Sequence, residues 1–277
     1  MTTVREALDG ARSLGVASLD AQLLLARVLA TTRTRLIAAD ERVLAADEAR
    51  HWEAWLERRL AGEPIAYLLG EKEFHGLVLE VNADVLVPRP ETELVVDWTA
   101  ELLADRSPNL PASVVDLGTG SGAIALAVKR LRPSARVTAT DVSDAALAVA
   151  RRNAVRAALE VEFVAGSWWD AIGGRRFDVA VANPPYVAAG DPHLAELRHE
   201  PIAALTPGGD GLAAVRAIAA GAPAHLRPDG WLVVEHGFDQ GAAVRRLFAD
   251  SGFVAIATRC DLAGHGRATA GRRGGTA

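Results

Sequence analysis

Asn183-Pro184-Pro185-Tyr186 combines residue types that can hold a planar amino group. Two consecutive prolines lack backbone donors and keep φ near about −65°. The residue before a proline is pushed to an extended conformation. Asn183 is therefore held rigidly, with its amide and the Pro184 carbonyl free to accept hydrogen bonds. Tyr186 adds a flat aromatic face. The set suits gripping an –NH2 group by both hydrogens and one π-face. A proline-stiffened strand exit with a satisfied asparagine is the plainer reading. The preceding apolar run, Phe177 to Ala182, reads as a buried parallel strand. Open α/β sheets bind ligands at the ends of such strands.

A second motif lies upstream. Ser113 to Leu117 reads as a buried strand, followed by Gly118-Thr119-Gly120-Ser121-Gly122 and a helix from Ala123 to Leu131. A strand, a Gly-rich turn and a helix bring backbone N–H groups close to a ligand. The spacing is G-x-G-x-G, not the G-x-G-x-x-G of nicotinamide binding. Asp116 stands at the strand end, where a carboxylate suits an ammonium group better than a pyrophosphate. The next strand, Arg136 to Thr140, ends in Asp141. An acid about 20 positions beyond such glycines commonly takes ribose hydroxyls.

Further stretches, taken with these motifs, give the chain a family likeness. They are Gly62 to Gly70 with Glu73-Phe74, Val87-Pro88-Arg89-Pro90-Glu91-Thr92-Glu93, Glu200-Pro201, Ala204-Leu205, Gly209-Asp210-Gly211-Leu212 and Glu235-His236-Gly237. On these residues the chain resembles the class I S-adenosylmethionine-dependent methyltransferases. More closely, it is similar to the peptide chain release factor glutamine methyltransferases (the HemK/PrmC family), along essentially its whole length.

The resemblance implies a seven-stranded Rossmann-like α/β domain, with a small N-terminal helical bundle and a linking β-hairpin. It implies S-adenosylmethionine as cofactor, S-adenosylhomocysteine as product, and no metal. Gly118, Thr119, Gly120, Ser121 and Gly122 would pass around the methionine part, with Asp116 near its ammonium. Asp141 would take the ribose hydroxyls, Trp168 the adenine side, and Asn183 would also border the cofactor. Many members carry an acid where this chain has Ser167. Asn183, Pro184, Pro185 and Tyr186 would bind the substrate amide, with Asn183, Pro184 and Tyr186 serving the reaction. The implied activity is methylation of the glutamine amide nitrogen (N5) in the Gly-Gly-Gln motif of class I release factors. Gly264 to Ala270 departs from the family pattern and implies a looser final strand.

Composition narrows the alternatives. The chain has 277 residues, half of them hydrophobic, enough for one large or two modest domains. Cys260 is the single cysteine, so no intramolecular disulfide or cysteine metal cluster forms. The seven histidines lack metal-ligand spacing such as H-E-x-x-H. No apolar run reaches roughly 18 residues and no signal-peptide pattern opens the chain, so a soluble cytoplasmic protein without membrane contact is expected. A net charge of −5 disfavours a large nucleic-acid footprint.

Residues 1–72 read as a helical, substrate-recognising bundle. Val4, Leu8, Ala11 and Leu14 follow helical spacing. Ser18 is the expected N-cap of a helix carrying Leu19, Leu23, Val28 and Leu29. A third helix starts near Asp47-Glu48 and carries Trp52, Trp55, Leu56 and Leu60. Residues 73–88 read as a β-hairpin linker, and 89–277 as the methyltransferase domain. Strands are expected near 113–117, 136–140, 161–165, 177–182, 231–235, 252–258 and 267–271, with Ser143 capping the helix after Asp141. The segment from Val187 to Gly211 is long for a structureless loop and should shape substrate access. Gly271 to Ala277 is expected to be a disordered tail.

Two other activities fit the asparagine motif. Adenine N6 is also a planar –NH2, but adenine methyltransferases on nucleic acid need a basic groove or an added domain. A ribosomal-protein glutamine is a closer rival substrate. A binding protein without turnover is opposed by the intact Asn183 and Asp141.

Overall fold

The computed structural model describes residues 2–104 and 111–275. The chain divides into two compact units, Met1–Glu71 and Lys72–Ala277.

The first unit contains helices α1 (Val4–Ser13), α2 (Ser18–Val28), α3 (Arg33–Ala38), α4 (Ala46–Leu60) and α5 (Ile65–Leu69). A capping box opens α1: Thr3 Oγ1 accepts from the Glu6 N–H at 3.2 Å, and Glu6 Oε2 accepts from the Thr3 N–H at 2.8 Å. Its core holds Val4, Ala7, Ala11, Leu24, Leu25 and Trp52. Three expected apolar positions, Leu14, Leu19 and Leu60, are exposed instead. Leu14 lies past the last turn of α1. In α2 the run from Ala21 to Val28 is apolar almost throughout, so more than one stripe fits its spacing. Packing selects Ala21, Leu24 and Leu25. Ser18 is not the cap of α2; Ala17 holds that place without a side-chain bond. The short helices α3 and α5 carry too little periodicity to be expected from sequence.

A two-stranded ladder follows, β1 (Glu71–Phe74) and β2 (Leu77–Glu80). His75 and Gly76 turn between them with φ of 48° and 72°, as a two-residue hairpin requires. Phe74 and Leu79 are buried in the core of the second unit.

Next come α6 (Glu93–Ala104), β3 (Ser113–Leu117), α7 (Ala123–Leu131), β4 (Arg136–Asp141), α8 (Asp144–Ala157), β5 (Glu162–Ala165) and β6 (Phe177–Ala182). The short helices α9 (His193–Glu196) and α10 (Ile202–Leu205) give partial structure to the long segment after β6. Helix α11 (Ala213–His225), β7 (Leu226–Glu235), α12 (Gly241–Asp250), β8 (Phe253–Cys260) and β9 (Gly266–Arg273) complete the unit.

The seven strands form one sheet in the order β5-β4-β3-β6-β7-β9-β8. The first five are mutually parallel, and β9 runs antiparallel to both β7 and β8. The expected seven-stranded α/β class is thus observed. Alternate residues feed two cores: Val114, Val179, Val181 and Val233 join one, while Val115, Ala180, Leu232 and Val234 join the other. Burial on both faces explains the nearly unbroken apolar runs. The chain steps outward from β3 to β5, then returns to place β6 on the other side of β3. That reversal opens a crevice at the carboxyl ends of β3 and β6.

The final strand corrects the expectation for the tail. Gly271 to Arg273 belong to β9 and pair with β7 and β8. A Cβ on Gly271 would approach Phe248 to 2.9 Å, so packing favours glycine. Arg272 pairs with Asp229, and Arg273 donates to the Leu226 carbonyl at 2.5 Å. Nor is the strand loose, since Ala268, Thr269 and Ala270 are fully buried. Thr276 and Ala277 lie outside the described residues. No helix among the described residues is long and apolar enough to cross a membrane.

Candidate active site

The glycine loop after β3 is tied to the end of β4. Gly118 and Thr119 donate backbone N–H groups to the Thr140 carbonyl at 2.9 and 2.8 Å. Gly120 donates to Asp141 Oδ2 at 2.9 Å, and Ser143 donates to Asp141 Oδ1 at 2.9 Å. Asp141 therefore braces the loop while bordering the cleft. Ser143 caps α8 as expected, accepting from Ala146 at 3.1 Å.

Asp116 sits beneath the loop. Its Oδ2 accepts from Thr119 Oγ1 at 2.6 Å and from the Ala125 N–H at 3.2 Å. Its Oδ1 is buried without a partner among the described residues. Burial, reinforced by the charge of Asp141, pushes Asp116 up to about 7. It does not stand on the cleft wall.

The adjacent tryptophans diverge. Trp169 is buried, donates Nε1–H to the Ile218 carbonyl at 2.9 Å and stacks on His225. Trp168 borders the cleft, with a φ of 40° that non-glycine residues seldom adopt. Its ring lies so close to Gly118 that a Cβ there would come within 3.1 Å of it. Ser167 borders the cleft beside it.

Asn183 follows β6 and is half-buried. Its Nδ2 donates to Thr92 Oγ1 at 3.1 Å, which leaves Oδ1 as the free acceptor of the amide. Pro185 borders the cleft, whereas Pro184 is buried. The Tyr186 carbonyl accepts from Gln240 Nε2 at 3.0 Å. A Cβ on Gly211 would come within 2.3 Å of that carbonyl, so the glycine permits a close backbone approach. Burial, then the negative charge of Glu235, holds the Tyr186 phenol well above its ordinary range, so it stays protonated.

The cleft measures about 320 Å³, within the size range of small-molecule sites. It brings together Gly118 to Ser121, Asp141, Trp168, Asn183 and Pro185, with Arg89 and Thr92 beside them. Asp116, Gly122, Pro184 and Tyr186 lie off its wall. The three charged residues at the start of α6 and just before it, Arg89, Glu91 and Glu93, have separate roles. Arg89 pairs with buried Glu200, which also accepts from the Val87 N–H at 3.0 Å. Glu93 turns to the hairpin and accepts from the His75 N–H at 2.8 Å. Glu91 adds negative charge near Glu235.

Sequence reasoning gave Thr92 and Glu235 no role in the site. Glu235 ends β7 and is 1% exposed, with its Oε2 buried without a hydrogen-bond partner among the described residues. One signal pointed to it: an acid ending an apolar run, like Asp141 at the end of its own strand. Its neighbour His236 has both ring nitrogens engaged, with the Gly237 carbonyl at 2.9 Å and Thr269 Oγ1 at 2.8 Å. Burial depresses its pKa. The described residues contain no grouping of histidine, cysteine and carboxylates suited to a metal.

Residues 92–259 match the family model of the Methyltransferase small domain, and residues 2–70 match that of the PrmC N-terminal domain. A release factor glutamine methyltransferase of Xylella fastidiosa is 49% identical over 269 residues, spanning 96% of this chain and 97% of that protein. One of Burkholderia pseudomallei is 51% identical over 266 residues, or 92% of each. Among solved structures, the 16S rRNA N2 G1207 methyltransferase of T. thermophilus, in complex with AdoMet and guanosine, is similar at 19% identity. Its TM-score is 0.56, over 73% of this chain and 49% of that one. That likeness shows the fold.

Proposed function

The chain belongs to the family of release factor glutamine methyltransferases, and we propose that it methylates the glutamine side-chain nitrogen (N5) in the Gly-Gly-Gln motif of class I release factors, using S-adenosylmethionine. One observation carries the reading. The glycine loop, Asp141 and an Asn183 with its oxygen free open on the same cleft.

The cleft suits that cosubstrate. Where a side chain on Gly120 would stand there is open space, with no protein atom within 4 Å. A ligand can therefore pass close to the backbone. Each oxygen of Asp141 already accepts one N–H, and a carboxylate oxygen has room for a further donor such as a ribose hydroxyl. Trp168 offers a flat face. When bound, S-adenosylmethionine supplies an electrophilic methyl group.

The protein's own task is orientation. A glutamine amide nitrogen is a poor nucleophile because its lone pair is delocalised. Asn183 Oδ1 and the Pro184 carbonyl accept its two hydrogens and align the nitrogen for in-line attack. These same acceptors stabilise positive charge growing on the nitrogen. Tyr186 packs near the amide plane. The proton leaves after transfer, so no strong base is required. Residues 1–72 supply contacts to the release factor away from the glutamine.

The test is to incubate the purified protein with isotopically labelled S-adenosylmethionine and intact release factor, then map the label by mass spectrometry. Label on the Gly-Gly-Gln glutamine is expected. Label instead on a ribosomal protein or on adenine in nucleic acid would replace this reading with one of the two rivals.

A further inference from the structure

The two prolines of Asn183-Pro184-Pro185-Tyr186 fix φ and leave ψ free, so carbonyls that are to face a substrate need an anchor at each end of the motif. Sheet pairing supplies the first. Ala182, just before Asn183, pairs with Leu117 of β3 and Val234 of β7. A side chain 54 residues beyond Tyr186 supplies the second. Gln240 Nε2 donates to the Tyr186 carbonyl at 3.0 Å, while Gln240 Oε1 accepts from the Gly237 N–H at 2.9 Å. Both partners are backbone groups of fixed polarity, so the amide has one allowed orientation.

The rest of the neighbourhood is built around this bridge. Gln240 stands at the N-cap of α12, yet its side chain caps none of that helix's N–H groups. It reaches instead to the motif after β6. Gly211, with a φ of 79°, closes over the contact so tightly that a Cβ there would lie 2.9 Å from Gln240 Nε2. Beyond Tyr186, the Val187 N–H donates to the Leu205 carbonyl and the Ala189 N–H to the Gly209 carbonyl, each at 2.9 Å.

We propose that Gln240 is a positioning residue for the methyl transfer: by holding the Tyr186 carbonyl it pins the far end of the motif, and so fixes the direction in which the Pro184 carbonyl meets the substrate amide. This rests on reading the cleft as a glutamine-amide site. Gln240 does not border the cleft and touches neither substrate nor cofactor in this scheme. Without its amide, the Tyr186 carbonyl loses a donor and the Pro184 carbonyl its fixed aim. The glycine loop and Asp141 keep their own hydrogen bonds.

The experiment compares Gln240→Ala and Gln240→Glu with the parent, all at full length, using labelled S-adenosylmethionine and intact release factor. Gln240→Ala should lower kcat about 10- to 100-fold, as when a reacting group is displaced by about 1 Å. The Kd for S-adenosylmethionine and the KM for release factor should stay near parent values. Gln240→Glu tests the donor itself. The introduced carboxyl keeps an acceptor for the Gly237 N–H. Ionised, it has no hydrogen for the Tyr186 carbonyl; protonated, it has one. Its rate relative to the parent should therefore be low at alkaline pH and climb as pH falls through the titration of that carboxyl. Asp239, His236 and Arg245 lie beside the amide. The charges of Glu235, Arg267, Arg89 and Glu91 act on Tyr186. All are common to both proteins, so the ratio isolates the introduced group. Melting curves at each pH keep the assay below the onset of unfolding, so lost stability alone does not move the ratio.

A parent-like kcat in Gln240→Ala, or a rate ratio for Gln240→Glu that stays flat from about pH 5 to about pH 9, overturns the role of Gln240 while leaving the glutamine reading intact. If the parent itself places no methyl on glutamine, that reading fails and the role of Gln240 falls with it.

Discussion

Asp141, at the end of β4, accepts the backbone N–H of Gly120 at 2.9 Å and so holds the glycine loop that follows β3. Its other oxygen takes the Ser143 N–H at the start of α8. One carboxylate thus joins three elements at the crevice where the strand order reverses. Any change there acts on the loop as well as on the ribose we propose it binds.

This double role separates two substitutions. Asp141→Ala removes charge-assisted hydrogen bonds worth roughly 1.5–3 kcal/mol each, so S-adenosylmethionine should bind at least about 10-fold more weakly. Asp141→Asn keeps one acceptor and should fall between parent and alanine variant. Calorimetric titration measures both. Unchanged affinity in Asp141→Ala would take Asp141 out of the site.

Asn183 should matter more for turnover than for cofactor affinity. Asn183→Ala deletes an acceptor whose bond strengthens as charge develops on the nitrogen. The rate should fall about 100-fold or more in single-turnover methylation at saturating cofactor. A near-normal rate would contradict the orientation mechanism.

Asp116 should leave a signature in the pH dependence of stability. Below the ordinary aspartate range, the folded and unfolded chains are both protonated there, and the residue contributes nothing. Between that range and about pH 7, the unfolded chain ionises while the folded chain keeps its proton. Stability therefore falls as pH rises, by at most about 1.4 kcal/mol per pH unit. Above that window the cost is constant. Asp116→Asn does not titrate, so its melting temperature minus that of the parent should climb with pH across the window and then level off. A difference that stays flat from acid to neutral pH would show that Asp116 is ionised in the fold.

The N-terminal unit should matter for intact release factor. A Gly-Gly-Gln segment offers little surface, so remote contacts must supply much of the affinity and orientation. Deleting residues 1–70 should impair methylation of the whole factor while leaving cofactor binding in place. Cofactor titration and a melting curve on the truncated protein separate lost recognition from lost folding. A cofactor-competent truncation that works at the full rate would reduce this unit to a structural role.

Much of this protein is written locally in its sequence. Apolar runs of strand length, closed by Asn183-Pro184-Pro185 or by Gly118-Thr119-Gly120, mark the buried parallel strands and the ends that carry the site. Proline and glycine restrict or free the backbone wherever they occur, so such motifs survive removal from context. Asp141 and Ser143 are legible for the same reason, standing beside a strand end and a helix start.

What the sequence leaves open depends on partners far along the chain. The apolar run of α2 admits more than one stripe, and only packing selects Ala21, Leu24 and Leu25. Gly271 to Arg273 carries no apolar pattern and becomes strand because β7 and β8 offer backbone partners on both sides. The Thr92 partner of Asn183 is 91 residues away in sequence, and Glu235 ends beside the Asn183 strand only because the sheet sets β7 next to β6. Hydrogen-bond direction and burial of charge are properties of such assembled neighbours. The residues by themselves determined that an asparagine and a glycine loop would stand at strand ends. Only the folded chain decided which way that asparagine faces.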